Sequence, residues 1–166
     1  MELFLKICLI GDPAVGKTSL IRRYVYNEFS DDYISTIGTK VSKKVVNIGG
    51  DTITLMIWDI LGQKQHNISD IYYRGSSGAI FVADLTAKET MDSFPEWYNG
   101  FKNIAGDVPV VIALNKNDLD AEYDEEYAIK ISSRIGNFPV VRTSAKTGEN
   151  VERIFEIITR DILKRR

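Results

Sequence analysis

The sequence predicts an α/β fold built on a six-stranded, mostly parallel sheet. Short apolar runs alternate along the chain with longer segments of helical periodicity, which is the pattern of strands joined by crossover helices. Several of these runs are continuously apolar, as expected for strands covered by helices on both faces. One pair of runs flanks Gly49-Gly50-Asp51, a turn signal that predicts two antiparallel strands and gives the sheet one antiparallel edge.

The elements follow in a simple order. The first strand, 4–10, is apolar, and a helical pattern continues over 19–25. The hairpin comprises strands 40–48 and 53–58. Lysines at 40, 43 and 44 suit an edge strand, because charge discourages pairing with another sheet. The same lysines are equally compatible with a face that docks a partner. The remaining strands are predicted at 79–84, 108–115 and 138–143, and helices on the outer faces at 89–105, 124–135 and 149–163.

Composition indicates one soluble domain spanning residues 1–166. The chain is long enough to bury about two-thirds of its unfolded surface, and 44% hydrophobic and 27% charged residues are ordinary for a globular protein. A net charge of −2 argues against a dedicated nucleic-acid binder. No apolar run approaches the ~20 residues that span a bilayer, and no signal peptide is visible. Cys8, the single cysteine, is expected in the core of a protein from a reducing compartment, most simply the cytoplasm.

The segment from Gly11 to Thr18 fits G-x-x-x-x-G-K-[ST] and stands between a strand and a helix. A phosphate-binding loop needs that order, because the glycines allow backbone N–H groups to converge on phosphate oxygens at a helix N-terminus. Lys17 can reach the β- and γ-phosphates, and the Thr18 hydroxyl can ligate Mg²⁺. The alternative is a glycine-rich turn without a ligand. The flanking elements favour a nucleoside phosphate.

Asn115-Lys116-Asn117-Asp118 follows an apolar strand, at the end where ligands lie in open α/β sheets. A carboxylate at Asp118 can accept hydrogen bonds from the ring N–H and exocyclic amine of guanine, a donor pair that adenine lacks. Alone, this loop and the later segment Thr143-Ser144-Ala145-Lys146 could be ordinary polar connections. Their order and spacing after a phosphate loop predict a guanine site.

A third element, from Trp58 to Gln63, has the form D-x-x-G-Q. Asp59 can hold Mg²⁺ through water, Gly62 can donate its N–H to a γ-phosphate, and Gln63 can orient an attacking water. Asp and Gly are also common in turns after a strand, so the element gains its meaning from the other two. A turn-rich stretch before it contains Thr36, which could reach the metal.

Together these residues resemble the Ras-like small GTPases, and the Rab branch most closely. The stretch 33–38 (Tyr-Ile-Ser-Thr-Ile-Gly) matches the Rab first-switch pattern, and 72–75 and 147–151 are also typical of that branch. The resemblance extends from Leu5 to about Leu163. It implies a P-loop NTPase fold, GTP or GDP as ligand, Mg²⁺ as cofactor and a role of the kind Rab proteins have in signalling and vesicle trafficking.

The resemblance assigns a role to each matching position. The catalytic residues are expected to be Gln63, Lys17 and Thr36, and the metal ligands Thr18, Thr36 and, through water, Asp59. The other nucleotide contacts are expected from Gly11, Ala14, Val15, Gly16, Ser19, Phe29, Tyr33, Gly62, Asn115, Lys116, Asp118, Ser144, Ala145 and Lys146. The roles of Phe29 and Tyr33 rest on the family pattern alone, since either aromatic could equally belong to the core.

The sequence departs from the family pattern near the reacting phosphate. Pro13 fixes φ and removes an N–H within the phosphate loop. Ile60-Leu61 replaces the usual Thr-Ala, and the second switch is one residue short. Lys40-Val41 occupies the place of the Rab pair Asp-Phe, whose aromatic packs with a tryptophan and a tyrosine at effector sites. These departures bear on hydrolysis rate and effector identity, and not on nucleotide binding.

The function predicted is a GTP-hydrolysing switch, with slow intrinsic turnover because no arginine lies between Phe29 and Thr36 to stabilise the transition state. Its expected partners are an exchange factor, a GTPase-activating protein and effectors at the switches. The chain is expected to be a monomer that reaches membranes only through a missing tail or a partner. Two alternatives are a hydrolysis-impaired, GTP-dependent interaction module and a P-loop kinase of a small metabolite, which would prefer ATP.

Overall fold

The computed structural model describes residues 1–29, 40–60 and 69–166. Their strands form one six-stranded sheet in the order β2-β3-β1-β4-β5-β6. The strands are β1 (Glu2–Ile10), β2 (Lys40–Ile48), β3 (Asp51–Asp59), β4 (Gly78–Asp84), β5 (Val110–Asn115) and β6 (Val140–Arg142). The helices are α1 (Lys17–Tyr26), α2 (Ser69–Tyr73), α3 (Lys88–Asp92), α4 (Phe94–Ala105), α5 (Glu125–Ile135) and α6 (Val151–Lys164).

Strand pairing confirms the predicted fold class. β1 is parallel to both β3 and β4, β4 to β5, and β5 to β6, whereas β2 and β3 are antiparallel. Gly49 and Gly50 form the two-residue hairpin loop with φ of 58° and 86°. Two consecutive positive φ angles suit the twist of a tight hairpin and favour glycine at both positions.

The sheet has a hydrophobic core on each face, and successive side chains of β1 point alternately into one core and the other. Leu5, Ile7 and Leu9 of β1 face the core that holds α1 and α6, whereas Cys8 and Ile10 face the core that holds α3, α4 and α5. Because both faces are buried, the central strands β4 and β5 are apolar up to their last residues, Asp84 and Asn115. None of the helices in the described ranges is long and apolar enough to span a membrane.

The helix predicted over 89–105 is two helices, and that prediction was wrong. α3 ends at Asp92, and α4 begins at Phe94 after Ser93. Pro95 lies at the start of α4. It cannot donate to the carbonyl four residues earlier, and its ring would crowd that carbonyl in a continuous helix. The short helix α2 was also not predicted.

The carboxyl ends of the parallel strands meet at one edge of the sheet. β1 ends there before the phosphate loop, β3 ends at Asp59, β4 at Asp84 and β5 at Asn115, and β6 runs into the segment that carries Ser144. Ligands of open α/β sheets bind at such an edge. The fold thus brings together candidate site residues that are far apart in the sequence.

Candidate nucleotide-binding site

The segment 11–18, the phosphate loop, requires glycine at two positions because neighbouring groups lie very close. A Cβ on Gly11 would be 2.3 Å from the carbonyl oxygen of Val82. A Cβ on Gly16, whose φ is +103°, would be 2.2 Å from Nδ2 of Asn115. The loop therefore lies against β4 on one side and against Asn115 at the end of β5 on the other, and only glycine allows both approaches.

Lys17 begins α1 and is only 6% exposed. Its Nζ donates hydrogen bonds of 2.9 Å to the carbonyl oxygens of Gly11 and Asp12. Burial lowers the pKa of Lys17 to about 8, while the Asp59 and Asp12 carboxylates act in the opposite direction. The ammonium is thus held inside the curve of the loop, where an anion would be attracted.

Thr18 and Asp59 bring a hydroxyl and a carboxylate together beside the phosphate loop. Thr18 Oγ1 donates a hydrogen bond of 2.5 Å to Oδ2 of Asp59, which is 2% exposed at the end of β3. Mg²⁺ prefers oxygen ligands and is usually held by one or two carboxylates together with phosphate oxygens. These two oxygen ligands therefore fit a Mg²⁺ ion that is bound together with a nucleotide.

Asn115 joins three parts of the site. Its Nδ2 donates to the carbonyl oxygen of Val15 at 3.0 Å. Its Oδ1 accepts hydrogen bonds from Thr143 Oγ1 at 3.1 Å and from the backbone N–H of Ala145 at 3.3 Å. The side chain is 2% exposed, so these contacts fix the phosphate loop relative to the loop after β6.

Lys116 links the phosphate loop to the end of β4. Its Nζ donates to the carbonyl oxygen of Ala14 at 2.9 Å and pairs with Oδ2 of Asp84 at 2.8 Å. Both Lys116 and Ala14 have positive φ, at 68° and 66°. Lys116 thus supports the far side of the phosphate loop while its backbone turns the chain toward Asp118.

Asp118 is exposed in the loop after β5. Its Oδ1 accepts a hydrogen bond of 2.6 Å from Ser144 Oγ. Ser144 is buried, and its Oγ also accepts from the backbone N–H of Thr147 at 3.1 Å. The loop after β6 therefore determines how the Asp118 carboxylate is presented.

The other predicted site residues lie in three places. Val15 is buried in the α1-side core, against which the half-buried Phe29 packs, and Ser19 is half-buried in the first turn of α1. Ala145 is buried and Lys146 exposed in the loop after β6. Four predicted residues, namely Tyr33, Thr36, Gly62 and Gln63, lie outside the described residues, as does Leu61.

Two departures from the family pattern can be placed. Pro13 is exposed in the phosphate loop, whereas Ile60 is 3% exposed and packs in the core on the α4 side. Trp58 lies with its ring centroid 6.3 Å from that of Tyr72, and Lys6 Nζ stands 3.9 Å above the Trp58 ring. Val41 pairs with Trp58 across the hairpin and is 40% exposed.

Three contributors to the site were not identified from the sequence. Asp84 pairs with Lys116, and its position at the carboxyl end of a strand was a usable signal. The Asp12 side chain accepts hydrogen bonds from α4, and Arg23 binds the carbonyl oxygens of the loop after β6. The contacts of Asp12 and Arg23 join residues that are 81 to 123 positions apart, and no local sequence pattern indicates them.

Comparisons with known proteins agree with this geometry. A model of the Ras family matches residues 6–164. The "Ras-related protein Rab-4B" of Homo sapiens is 36% identical over 169 aligned residues, which cover 99% of this chain and 78% of that protein. Human Rab-4A is 34% identical, covering 99% of this chain and 77% of its own length. Rab-13 of Canis lupus familiaris is 38% identical over 162 residues, covering 95% of this chain and 79% of that protein.

The predicted resemblance to Ras-like proteins and to their Rab branch is thereby confirmed. The family match covers nearly all described elements, from β1 to α6. The phosphate loop, Asp59 at the end of β3 and the loop that carries Asp118 lie at one edge of the sheet. This protein belongs to the Ras family of small GTP-binding proteins.

Proposed function

We propose that this protein is a guanine-nucleotide switch that binds GTP with Mg²⁺ and hydrolyses it to GDP. The observation that carries the proposal is the convergence of two sets of residues at one sheet edge. Lys17, Thr18 and Asp59 offer an ammonium, a hydroxyl and a carboxylate for a phosphate–metal group. Asn115 holds that set against the loops that carry Asp118 and Ala145.

The phosphates would bind at the loop formed by Gly11, Ala14, Val15, Gly16 and Ser19 with Lys17. Lys17 Nζ already lies over the loop's own carbonyl groups, so it needs little rearrangement to meet the β- and γ-phosphates. Thr18, Thr36 and, through water, Asp59 would hold Mg²⁺. Mg²⁺, when bound, neutralises part of the charge on the phosphate oxygens.

The base would bind between Lys116, Asp118 and the loop after β6. Asp118 would accept hydrogen bonds from the ring N–H and exocyclic amine of guanine, and the backbone of Ala145 with Lys146 would complete the pocket. Phe29 would lie against the base, and Tyr33 would cover the triphosphate. ATP would leave the Asp118 charge without its donor pair, which argues against the metabolite-kinase alternative.

In hydrolysis, Gln63 would orient a water for in-line attack on the γ-phosphorus as the bond to the β–γ bridging oxygen breaks. Catalysis consists of positioning and electrostatic stabilisation, supplied in part by Lys17 and Thr36. No arginine precedes Thr36 in the first switch to stabilise the charge that develops. We therefore expect slow intrinsic turnover that an activating protein increases by about 10³–10⁵.

Loss of the γ-phosphate would release Thr36 and Gly62, and with them both switch segments. An exchange factor, an activating protein and effectors would act on these segments of a monomeric, cytoplasmic protein that reaches membranes peripherally. The exposed Val41 and the half-buried Trp58 and Tyr72 follow or precede these segments in the sequence and offer aromatic area with the charge of Lys6. An effector with apolar and acidic groups fits that surface.

A second candidate is a GTP-dependent interaction module that does not hydrolyse its ligand. Pro13 favours it, because this residue is exposed in the phosphate loop and has no N–H to offer a phosphate. By the family pattern, Leu61 would add bulk close to the γ-phosphate, where the family usually has alanine.

Single-turnover phosphate release from the GTP-loaded protein in Mg²⁺ distinguishes the two candidates. Slow release in the wild type and clearly slower release in Gln63→Leu would support the hydrolysing switch. Equal absence of release from both proteins, with GTP still bound, would favour the interaction module. Failure of the wild type to bind GTP or GDP would contradict both.

A further inference from the structure

Arg23 lies near the end of α1, the helix that begins at Lys17 of the phosphate loop. Six residues of helix place it about 9 Å farther along the helix axis. Its Nε donates to the carbonyl oxygen of Ala145 at 2.8 Å and its Nη2 to that of Lys146 at 2.6 Å. A single guanidinium thus connects α1 to two successive peptides of the loop after β6.

The guanidinium is itself held in place from a second direction. Nη1 donates to Oδ1 of Asn27 at 3.1 Å. Asn27 caps α1 in the left-handed conformation, with its N–H bonded to the carbonyl oxygen of Arg23. The planar, permanently charged fork therefore has each of its nitrogen positions engaged, and few other side-chain conformations keep these contacts.

A chain of hydrogen bonds continues from Arg23 to Asp118. The Lys146 carbonyl that Arg23 binds shares its peptide with the N–H of Thr147, which points the opposite way in a trans peptide. That N–H donates to Ser144 Oγ at 3.1 Å, and Ser144 Oγ donates to Asp118 Oδ1 at 2.6 Å. Each bond polarises the next, so the orientation of the carboxylate depends on the contact at Arg23.

We propose that Arg23 is a positioning residue for base recognition: it sets the orientation of Asp118 through Lys146, Thr147 and Ser144, and thereby the lifetime and base selectivity of the bound nucleotide. The inference rests on the proposed function, in which Asp118 contacts guanine. It assigns a recognition role to a residue that would touch neither the base nor the phosphates.

The test compares GDP with inosine diphosphate, which lacks the exocyclic amine. Loss of a charged hydrogen-bond donor in Arg23→Met should accelerate GDP dissociation about tenfold. Because the carboxylate is then less well aimed at the amine, the ratio of GDP affinity to inosine diphosphate affinity should fall. Arg23→Lys, which keeps the charge but not the fork, should restore only part of the ratio.

Arg160→Met is the matched control. Arg160 is an exposed arginine on α6 whose Nε donates to Glu156 one turn away, its one side-chain partner among residues 1–29, 40–60 and 69–166, so Arg160→Met should change neither the GDP dissociation rate nor the affinity ratio. Ser144→Ala interrupts the same chain between Thr147 and Asp118 and should lower the ratio as well. In the double variant the two effects should be less than additive, because both act on one chain of contacts.

The outcomes separate this inference from the function on which it rests. If Arg23→Met weakens both nucleotides by the same factor, the role of Arg23 is purely structural and the proposal is overturned. The same conclusion follows if the Arg23 and Ser144 effects multiply independently. If the wild type binds neither nucleotide, the proposed function has failed and the inference fails with it. Circular dichroism and thermal melting of each variant identify any that has not folded.

Discussion

Trp97 Nε1 donates a hydrogen bond of 2.8 Å to Oδ1 of Asp12. Ser93 Oγ donates to the other carboxylate oxygen at 2.9 Å. Asp12 belongs to the phosphate loop, and its backbone carbonyl accepts from Lys17. The start of α4 thus anchors the leading half of the phosphate loop, next to the unusual Pro13.

We expect Trp97→Phe to lower the free energy of unfolding by about 1.5–3 kcal/mol, the range for hydrogen bonds to charged groups. GDP dissociation should also become faster, because Asp12 loses one of the two bonds from α4 and its N-cap that hold the loop in position. Urea denaturation and fluorescent-nucleotide release measure the two effects. Trp58→Phe serves as the control, since that ring contacts Lys6 and Tyr72 and not the phosphate loop. Unchanged release in Trp97→Phe would show that the anchor does not affect the loop.

Gly16→Ala should abolish nucleotide binding. The added Cβ would come within 2.2 Å of Asn115 Nδ2, and Asn115 is fixed by its bonds to Val15 and Thr143. Gly50→Ala is the matched control, because its φ is also positive at 86° but nothing lies within 4 Å of the new methyl group. The strain of positive φ, about 1–2 kcal/mol, is common to both variants. Titration with GDP should therefore find binding in the second variant alone, and binding of normal affinity by Gly16→Ala would refute the packing argument.

Asp118→Asn should change base preference from guanine to xanthine. An amide can accept from the ring N–H while donating to the C2 carbonyl that xanthine has in place of the amine. Asn can also keep the bond from Ser144 that Asp118 accepts at 2.6 Å. Affinity for GDP should fall at least about 100-fold and affinity for xanthosine diphosphate should rise. Competition binding measures both, with Asp120→Asn, an exposed neighbour, as the control. A variant that still prefers GDP would contradict the assignment of Asp118.

Cys8 should be unreactive in the folded protein. It is fully buried, and burial raises the pKa of its thiol to about 11 while the bond with Ser76 acts the other way. Iodoacetamide at pH 8 should therefore label only protein unfolded in urea, which mass spectrometry detects as one adduct. Labelling of the native protein at the rate of a free thiol would contradict this placement.

The same thiol should make stability depend on alkaline pH. Above pH 9 the unfolded state loses the Cys8 proton while the folded state keeps it until about pH 11. Stability therefore falls as pH rises through that window, by at most about 1.4 kcal/mol per pH unit. Cys8→Ala removes this contribution, so the stability of the wild type relative to Cys8→Ala should decrease between pH 9 and 11. A constant difference would exclude Cys8 as the source.

Local patterns predicted much of this molecule because the physical causes are themselves local. The phosphate loop at Gly11–Thr18 could be placed from a strand, two glycines and a helix start, and β2 and β3 from a turn between alternating runs. Asn115 and Asp118 could be assigned to the site because parallel strands present their carboxyl ends at one edge.

What the sequence did not predict depends on distant contacts or on weak signals. Arg23 meets Lys146 across 123 positions, and Trp97 meets Asp12 across 85, so neither side chain has a neighbour in sequence that indicates its role. The break between α3 and α4 was missed for a different reason, because Pro95 is a helix-breaking signal that the sequence does contain. Helical periodicity on both sides obscured that signal.

The two sets of residues proposed to hold the nucleotide are well separated along the chain. Those for the phosphates and metal all precede position 63, whereas those for the base, apart from Phe29, follow position 114. During synthesis on a ribosome, β1 to β4 emerge before the loop that carries Ser144 and Ala145. A ligand stabilises only a chain that can bind it. On the proposed assignment, a nucleotide can contact both sets only after β6 has left the exit tunnel, so the first four strands must persist until then without the full stabilisation that it provides.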